Sequence, residues 1–171
     1  VGPGEMGEII GRSPAMMNGY HKREGATRDA EYYDADGNRW IRHGDVGRFD
    51  EDGFLILMDR KKDMIISGGF NIYPSDLEAV LAQHPAVADC TVVGVPSDEW
   101  GETPVGFYVP RADAQASAEE VRAATNAKLG KTQRLSALYV TDELPRSAIG
   151  KVLKRELRDQ LAAGQLGGTA A

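Results

Sequence analysis

The sequence predicts an α+β fold in which a β-rich segment, residues 1–58, precedes a small domain of helices packed against an antiparallel sheet, residues 64–163. Residues 1–58 contain short β-forming runs separated by turn dipeptides, whereas apolar strands alternate with amphipathic helices after residue 64. Five consecutive charged residues, 59–63, separate the two parts. With 171 residues, 42% of them hydrophobic, the chain has enough apolar side chains for one core or two small ones.

The β-rich segment is predicted from three short runs: residues 7–11, 38–42 and 54–58. Asp36-Gly37 and Asp52-Gly53 predict tight turns, because these residue types tolerate the left-handed backbone that such turns require. Residues 13–34 are mostly polar and are predicted to be irregular. A polar connection of this length is unusual in a self-sufficient domain, so we expect the segment to depend on further protein.

Two capping boxes predict helices in the second part. Residues 75–78 and 117–120 each place a serine three residues before a glutamate, which is the pattern of a capped helix start. The first helix is expected to end before Pro85, and the second to run toward Gly130. A third helix is predicted over residues 151–163, with three leucines on one face. The strands between these helices are predicted at residues 88–95, 105–109 and 138–141.

Composition excludes several classes of function. The net charge of -6 argues against nucleic-acid binding, which needs a clustered basic surface. No apolar stretch approaches the roughly 20 residues of a membrane-spanning helix, and no secretory signal is visible. The single cysteine, Cys90, cannot form an internal disulfide, which favours a reducing, cytoplasmic location. His21, His43 and His84 lack metal-ligand spacing with one another and with Cys90, so no metal site is expected.

Both ends of the chain have distinct signals. Residues 164–171 are rich in Gly and Ala and are predicted to form a disordered tail. The chain begins with Val-Gly-Pro-Gly and no methionine, which is typical of the interior of a loop. We therefore expect the sequence to be a fragment of a longer protein.

Asp45 is a candidate ligand-binding residue because it lies in Arg-His-Gly-Asp-Val-Gly, where a predicted strand ends in a turn. A carboxylate exposed there can accept hydrogen bonds from two neighbouring hydroxyls, such as those of a ribose. An Asx turn that binds no ligand is the alternative. The charged run 59–63 similarly suits either a solvated hinge between domains or a surface turn.

Two further loops are candidates for chemistry. Ser67-Gly68-Gly69 permits a sharp bend and a close approach of backbone to a ligand, although it lacks the spacing of a phosphate-binding P-loop. Lys151 closes the loop 144–151 ahead of the last predicted helix, where its charge could stabilise a phosphate or carboxylate. A lysine that is simply solvated is the alternative at this position.

The order of these motifs resembles the C-terminal third of the adenylate-forming superfamily, which includes acyl- and aryl-CoA synthetases, luciferases and the adenylation domains of peptide synthetases. The resemblance covers residues 2–161, and its most specific part is DRKKDMIISGGFNIYP, residues 59–74. The acyl-CoA synthetases, including the 4-coumarate, benzoate and fatty acid ligases, are the most similar branch. The matching segments are residues 4–9, 17–20, 43–47, 59–63, 67–74 and 144–151.

The resemblance implies an architecture and a reaction. Residues 1–58 would be the end of a large N-terminal AMP-binding domain, residues 59–63 a hinge, and residues 64–163 the C-terminal lid domain. The intact enzyme would activate a carboxylic acid with ATP, giving acyl-AMP and pyrophosphate, and would then form the acyl-CoA thioester. Its substrates would be the acid, ATP and CoA, and this chain would work with the N-terminal domain of the same polypeptide.

The resemblance also implies roles for individual residues. Asp45 and Arg60 would bind ATP or AMP, Lys62 would be the hinge residue, and Lys151 would be the catalytic lysine of adenylation. The residues implied to line the CoA site are Ser67, Gly68, Gly69 and Trp100. Mg²⁺ is implied for the intact enzyme, held by residues that this chain does not contain.

The fragment alone is expected to be inactive, because the phosphate-binding loop and acyl pocket of the superfamily precede the region present here. The acid substrate cannot be read from this sequence for the same reason. Two alternatives remain open. One is an adenylation domain that loads a carrier protein instead of CoA. The other is a non-catalytic module that binds a nucleotide or a partner protein.

Overall fold

A computed structural model of the chain describes residues 1–2 and 4–164. The predicted disordered tail, residues 164–171, lies outside the described residues except for Gly164. The chain divides into two compact units, with unit 1 ending at Lys62 and unit 2 beginning at Asp63. Among the described residues, no helix is long and apolar enough to cross a membrane.

Unit 1 is built on an antiparallel sheet around one long strand. Its elements are β1 (Gly7–Gly11), α1 (Glu24–Ala30), β2 (Glu31–Tyr33), β3 (Arg39–Phe49) and β4 (Leu55–Arg60). β3 pairs with β1 along one edge and with β2 and β4 in succession along the other. β3 therefore connects all the other strands of this unit.

Two expectations for unit 1 are wrong. Residues 13–34 are not irregular throughout, because they contain α1 and β2. α1 buries no side chain, so it has no apolar stripe from which a helix could be predicted. The strand predicted at residues 38–42 does not end in a turn at Gly44 and Asp45 but continues to Phe49. Gly44 has a φ of 72° within the strand, and the register with β4 becomes irregular at Val46.

In its described part, residues 63–164, unit 2 has a five-stranded sheet with three α-helices, as the predicted α+β class requires. The strands are β5 (Ile65–Ser67), β6 (Phe70–Ile72), β7 (Val87–Ser97), β8 (Gly101–Pro110) and β9 (Ala137–Val140). The helices are α2 (Pro74–Leu81), α3 (Ala118–Asn126) and α4 (Lys154–Ala162). The sheet order is β6-β5-β8-β7, and β9 also pairs with β8. This last pairing is parallel, because α3 carries the chain back to the start of β8 before β9 begins.

The sheet of unit 2 separates two apolar clusters. Consecutive residues alternate between its faces, so Val92 belongs to one cluster and Val93 to the other. The first cluster includes Leu77 and Leu81 of α2 and Val121 of α3. The second cluster contains Leu157 of α4 together with Val105, Phe107 and Leu144. The helices thus cover both faces of the sheet, and the predicted α+β fold is confirmed.

The predicted helix starts differ in outcome. The capping box at Ser117 is confirmed, since its Oγ accepts a hydrogen bond from Glu120 N and Glu120 Oε2 accepts one from Ser117 N. The box predicted at Ser75 is wrong because α2 already begins at Pro74, a residue favoured in the first helical turn. The last helix begins at Lys154, so Lys151 lies in the preceding loop.

Glu78, the glutamate of the incorrectly predicted box, has a different role. Its Oε1 accepts hydrogen bonds from Thr91 Oγ1 and Val92 N, both at 2.8 Å. Lys154 Nζ lies 2.9 Å from the same oxygen. One carboxylate therefore connects α2, β7 and α4.

Asp34 organises the connection between β2 and β3. Its two carboxylate oxygens accept hydrogen bonds from Trp40 Nε1 at 2.9 Å, Asn38 N at 2.8 Å, Asn38 Nδ2 at 3.0 Å and Asp36 N at 3.1 Å. These donors, above all the Trp40 indole, lower the pKa of Asp34 from 3.8 to about 2. The ionised carboxylate thus stabilises the fold above pH 4, and this contribution disappears as the pH falls through 2.

Asp34→Asn is expected to lower the free energy of unfolding of unit 1 at pH 7, because an amide nitrogen would face the Trp40 and Asn38 donors. The difference from the parent protein should shrink as the pH falls from 4 to 2. Urea unfolding can be followed through Trp40 fluorescence in a Trp100→Phe background, since the sequence has two tryptophans. Glu51→Gln, which removes the same charge from an exposed position, should show no such pH dependence.

Candidate functional site

Asp45 and Arg60 face each other on neighbouring strands of unit 1. They are paired in the register of β3 and β4, and Arg60 Nε lies 3.0 Å from Asp45 Oδ1. Both side chains are partly exposed. A carboxylate accepts up to four hydrogen bonds and a guanidinium donates five, so the pair retains capacity for a bound ligand. The structure therefore brings together the two residues predicted to bind ATP or AMP.

Lys61 is tied to unit 1 by an ion pair. Its Nζ lies 2.9 Å from Glu8 Oε2 on β1, and Arg42 Nη1 lies 3.5 Å from the same oxygen. This pair could not be predicted from the sequence, because its members are 53 residues apart. The chain is therefore held to the sheet of unit 1 as far as Lys61.

Asp63, the first residue of unit 2, is tied to its own unit in the same way. Arg158 Nη2 of α4 donates a hydrogen bond of 3.0 Å to Asp63 Oδ1, and the Asp63 side chain is largely buried. Lys62, the predicted hinge residue, therefore lies between two anchored neighbours. The boundary between the two units also follows Lys62.

The two glycines of the Ser67-Gly68-Gly69 segment form the turn between β5 and β6. Their φ angles are 56° and 82°, as a two-residue hairpin turn of this type requires. Gly68 N donates a hydrogen bond of 2.9 Å to Trp100 O. A Cβ atom added to Gly68 would lie 2.8 Å from Trp100 Cε3, so the glycine permits close packing with the indole. The four residues predicted to line the CoA site are thus neighbours in unit 2.

Lys151 lies in an exposed hairpin. Arg146 and Val152 form an isolated antiparallel bridge, and Ser147 N donates a hydrogen bond of 2.8 Å to Lys151 O. Gly150 has a φ of 79°, which turns the chain immediately before Lys151. The lysine side chain is thereby displayed to solvent, and the functional and the solvated interpretations both remain compatible with its exposure.

Side chains that the sequence analysis missed hold this hairpin. Arg146 Nη1 donates to Gly150 O at 2.6 Å, and its Nη2 donates to Asp89 Oδ2 of β7 at 2.5 Å. On the other side of Lys151, Lys154 pairs with Glu78. Arg146 belongs to the loop motif 144–151, whereas Lys154 lies beyond it. The acidic partners of both residues lie far away in sequence and could not be identified from it.

Other reactive groups contribute little to this arrangement. Among residues 1–2 and 4–164, no group of three or more His, Cys, Asp or Glu side chains could hold a metal ion. Burial, with smaller effects from Glu78 and Asp89, raises the pKa of Cys90 to about 11. The Cys90 thiol is therefore protonated at neutral pH and a poor nucleophile.

Sequence comparisons give matches over most of the chain. Residues 76–151 match the family model described as the AMP-binding enzyme C-terminal domain. The chain is 45% identical over 152 residues to a 2-succinylbenzoate–CoA ligase of Bacillus cereus and 44% identical over 155 residues to that of Bacillus cytotoxicus. These alignments cover 89% and 91% of the chain but 30% and 31% of the relatives. The chain thus spans less than a third of the length of these ligases.

Solved structures give similar matches. The ATP-bound MatB from Rhodopseudomonas palustris has a TM-score of 0.86 and 29% identity, covering 96% of this chain and 32% of that one. The o-succinylbenzoate CoA synthetase from Bacillus subtilis, in complex with an acyl-adenylate intermediate, has a TM-score of 0.79 and 38% identity, with coverages of 93% and 31%. An amide bond synthetase, McbA from Marinactinospora thermotolerans, has a TM-score of 0.79 and 35% identity, with coverages of 93% and 32%.

Gly68→Ala is expected to destabilise unit 2 more than Gly69→Ala. Both positions have positive φ, so each alanine should cost about 1–2 kcal/mol of backbone strain. The alanine at position 68 would in addition overlap with Trp100, whereas a Cβ at position 69 would meet nothing within 4 Å. Chemical denaturation followed by Trp100 fluorescence in a Trp40→Phe background should resolve the difference. Equal destabilisation by the two substitutions would contradict the close packing of Gly68 and Trp100.

Proposed function

Because the chain belongs to the adenylate-forming superfamily, we propose that it provides the nucleotide-binding edge, hinge and mobile catalytic domain of an acid–CoA ligase. The complete enzyme joins the carboxylate of its acid to the α-phosphorus of ATP and releases pyrophosphate. The CoA thiol then attacks the acyl carbon and releases AMP. The names of the curated relatives make 2-succinylbenzoate the first acid to test.

The extent of the similarity to these ligases carries the proposal. The alignment spans 152 of the 171 residues, so it must include residues 20–152 wherever it starts. The aligned segment therefore includes every candidate residue from Asp45 to Lys151. A non-catalytic module would have no need to retain the sequence of a ligase over both units.

The Asp45 carboxylate is proposed to accept hydrogen bonds from the ribose hydroxyls of ATP. The Arg60 contact at 3.0 Å orients this carboxylate and uses only one of the five guanidinium N–H donors. The remaining donors are available to the same nucleotide. Magnesium has no proposed ligands on this chain, since the described residues offer no suitable cluster of acidic or histidine side chains.

Lys151 is proposed to stabilise the negative charge that develops as the acid attacks and pyrophosphate leaves. Its exposed ammonium group at the end of a braced hairpin is suited to this task, because a compact charge in a fixed position lowers the energy of an anionic transition state. The Gly68–Gly69 turn and Trp100 are proposed to border the path of the CoA thiol. At Gly69 an added Cβ would meet nothing within 4 Å, so the backbone there is accessible to an extended ligand.

These two functional elements lie at opposite ends of one strand in unit 2. Asp89, which holds the Lys151 hairpin, lies near the start of β7, and Trp100 follows its end at Ser97. Asp89 and Ser97 are eight positions apart in an extended strand, a distance of about 26 Å. One position of unit 2 could therefore not present both elements to the same reaction centre, which supports a rotation between the two half-reactions.

Lys62 is proposed to be the residue about which this rotation occurs. Lys61 is paired with Glu8 inside unit 1, and Asp63 is paired with Arg158 inside unit 2. The backbone dihedral angles of Lys62 are therefore the ones left to change when each unit moves as a rigid body.

An apolar surface on unit 1 supports the proposal that further protein completes the enzyme. Phe49, Phe54 and Leu57 are each more than half exposed to solvent in this chain. Exposed apolar side chains in such proximity along a sheet indicate a surface that another part of the protein covers. The large N-terminal domain of the same polypeptide is the proposed cover.

An acceptor other than CoA is the second candidate function. It is favoured by the 35% identity to a protein named an amide bond synthetase, which shows that a similar chain occurs where the product is an amide. Comparing CoA, a phosphopantetheine-bearing carrier protein and a panel of amines as acceptors for the adenylate distinguishes these functions. Consumption of the adenylate by CoA alone is the expected result.

Lys151→Gln in the full-length protein is expected to lower the rate of acyl-adenylate formation by about 100-fold or more, because it removes the charge assigned to that transition state. Thioester formation from supplied acyl-adenylate should remain within about threefold of the parent rate. Pyrophosphate release measures the first step and acyl-CoA formation the second. Equal slowing of both steps would show that the assigned role is wrong.

The 171-residue chain by itself is expected to form no acyl-adenylate, since it lacks the domain proposed to bind the acid and the phosphates. The full-length protein should release AMP in a manner that depends on both acid and CoA. Assays of the two proteins with 2-succinylbenzoate and with aromatic and fatty acids make the comparison. Acid-dependent AMP release by the isolated chain would contradict the proposal that the N-terminal domain is required for adenylation.

A further inference from the structure

The hairpin that carries Lys151 has few contacts of its own. Ala148, Ile149 and Gly150 are exposed. Three backbone hydrogen bonds close the hairpin: Ser147 N to Lys151 O, Gly150 N to Ser147 O and Leu153 N to Pro145 O. An isolated hairpin of this size is not stable in water. Interactions with the rest of unit 2 must therefore determine where Lys151 is held.

Arg146 supplies such an interaction through two arms of its guanidinium group. One arm donates to Gly150 O within the hairpin, at 2.6 Å, and the other donates to Asp89 Oδ2 on β7, at 2.5 Å. Asp89 is itself oriented, because its Oδ1 accepts a hydrogen bond from Cys90 N at 2.9 Å. The guanidinium therefore links the hairpin to β7, an edge strand of the sheet of unit 2.

The hydrogen bond to Gly150 O acts directly on Lys151, because this carbonyl belongs to the peptide group that joins the two residues. The N–H of the same peptide group, on Lys151, donates to Ser147 Oγ at 3.2 Å. The peptide plane entering Lys151 is thus held at both ends. Since Gly150 has positive φ and no side chain, these two bonds replace the steric restraints that other residues would provide.

We propose that Arg146 is a positioning residue that fixes the direction of Lys151 for adenylation, acting through Gly150 O and Asp89. This inference rests on the proposed role of Lys151 and extends it. Displacing a catalytic group by about 1 Å can reduce a rate by about 100-fold. Because Lys151 is needed only for adenylation, loss of Arg146 should affect that half-reaction selectively.

Arg146→Ala in the full-length protein should lower the rate of acyl-adenylate formation by about 10- to 100-fold, with thioester formation from supplied adenylate within about threefold of the parent. Arg146→Lys should give an adenylation rate between those of the parent and of Arg146→Ala. Its ammonium group keeps the charge but cannot reproduce the two hydrogen bonds of the planar guanidinium. Arg155→Ala is the matched control. Arg155 is an exposed arginine that pairs with Asp159, so its loss makes the same change in charge and should leave both rates unaltered.

A double substitution tests whether Arg146 acts through Lys151. If it does, adding Arg146→Ala to Lys151→Gln should cause no further loss of adenylation. Fully multiplicative losses would overturn the inference. So would equal losses in both half-reactions accompanied by a lower Tm, since these indicate a general role in folding.

Hydrogen exchange gives a readout that does not depend on activity. Arg146→Ala should increase amide exchange in the peptide that covers residues 146–152, whereas Arg155→Ala should not. Unchanged exchange there would overturn the inference even if adenylation fell. If exchange rises as expected but the parent protein adenylates no acid, the proposed function fails while the restraint by Arg146 stands.

Discussion

The carboxylate of Glu78 is the interaction on which the arrangement of unit 2 depends. It accepts hydrogen bonds from Thr91 and Val92 of β7 and pairs with Lys154 at the start of α4. α4 needs this contact because it buries only one side chain, Leu157. Apolar packing alone would fix such a helix poorly, whereas an ion pair with satisfied hydrogen bonds fixes its position along the sheet.

The position of α4 in turn determines where the chain leaves the loop before it. Leu153 N donates to Pro145 O, so the two ends of the Lys151 hairpin are joined. At one end of the hairpin, Lys154 pairs with Glu78, whose carboxylate accepts a hydrogen bond from β7. At the other end, Arg146 donates to Asp89, which belongs to β7. The backbone of Lys151 thus has a defined position although its side chain is exposed.

Much of this arrangement could be predicted from the sequence where the signal is local. Ser117 and Glu120 lie three residues apart and cap α3, and two adjacent glycines form the turn beside Ser67. The pairing of Asp45 with Arg60 was not predicted, although both residues were identified as candidates. Their contact depends on β3 continuing past Gly44, and a glycine-aspartate sequence at that point favours a turn when read locally.

The remaining features depend on distant partners. Arg146 and Asp89 are 57 residues apart, and Arg158 and Asp63 are 95 apart, so neither pair leaves a periodic pattern in the sequence. The same reasoning explains the failure at Ser75. Glu78 lies three residues after Ser75 and so fits a capping box. Val92 N of β7 and Lys154 Nζ are stronger partners for its carboxylate than a solvated helix terminus.

The sheet of unit 2 also limits how the proposed enzyme can alternate between its two reactions. β7 and β8 are paired almost continuously from Val87 to Gly101, so the sheet cannot fold to bring its ends together. The Lys151 hairpin and the Gly68–Trp100 contact therefore keep a fixed separation within the unit. If the Lys151 hairpin and the Gly68–Trp100 segment act in turn at one reaction centre, the whole of unit 2 has to move between the two reactions. Under the proposed function, that movement would occur at Lys62, which lies between the ion-paired residues Lys61 and Asp63.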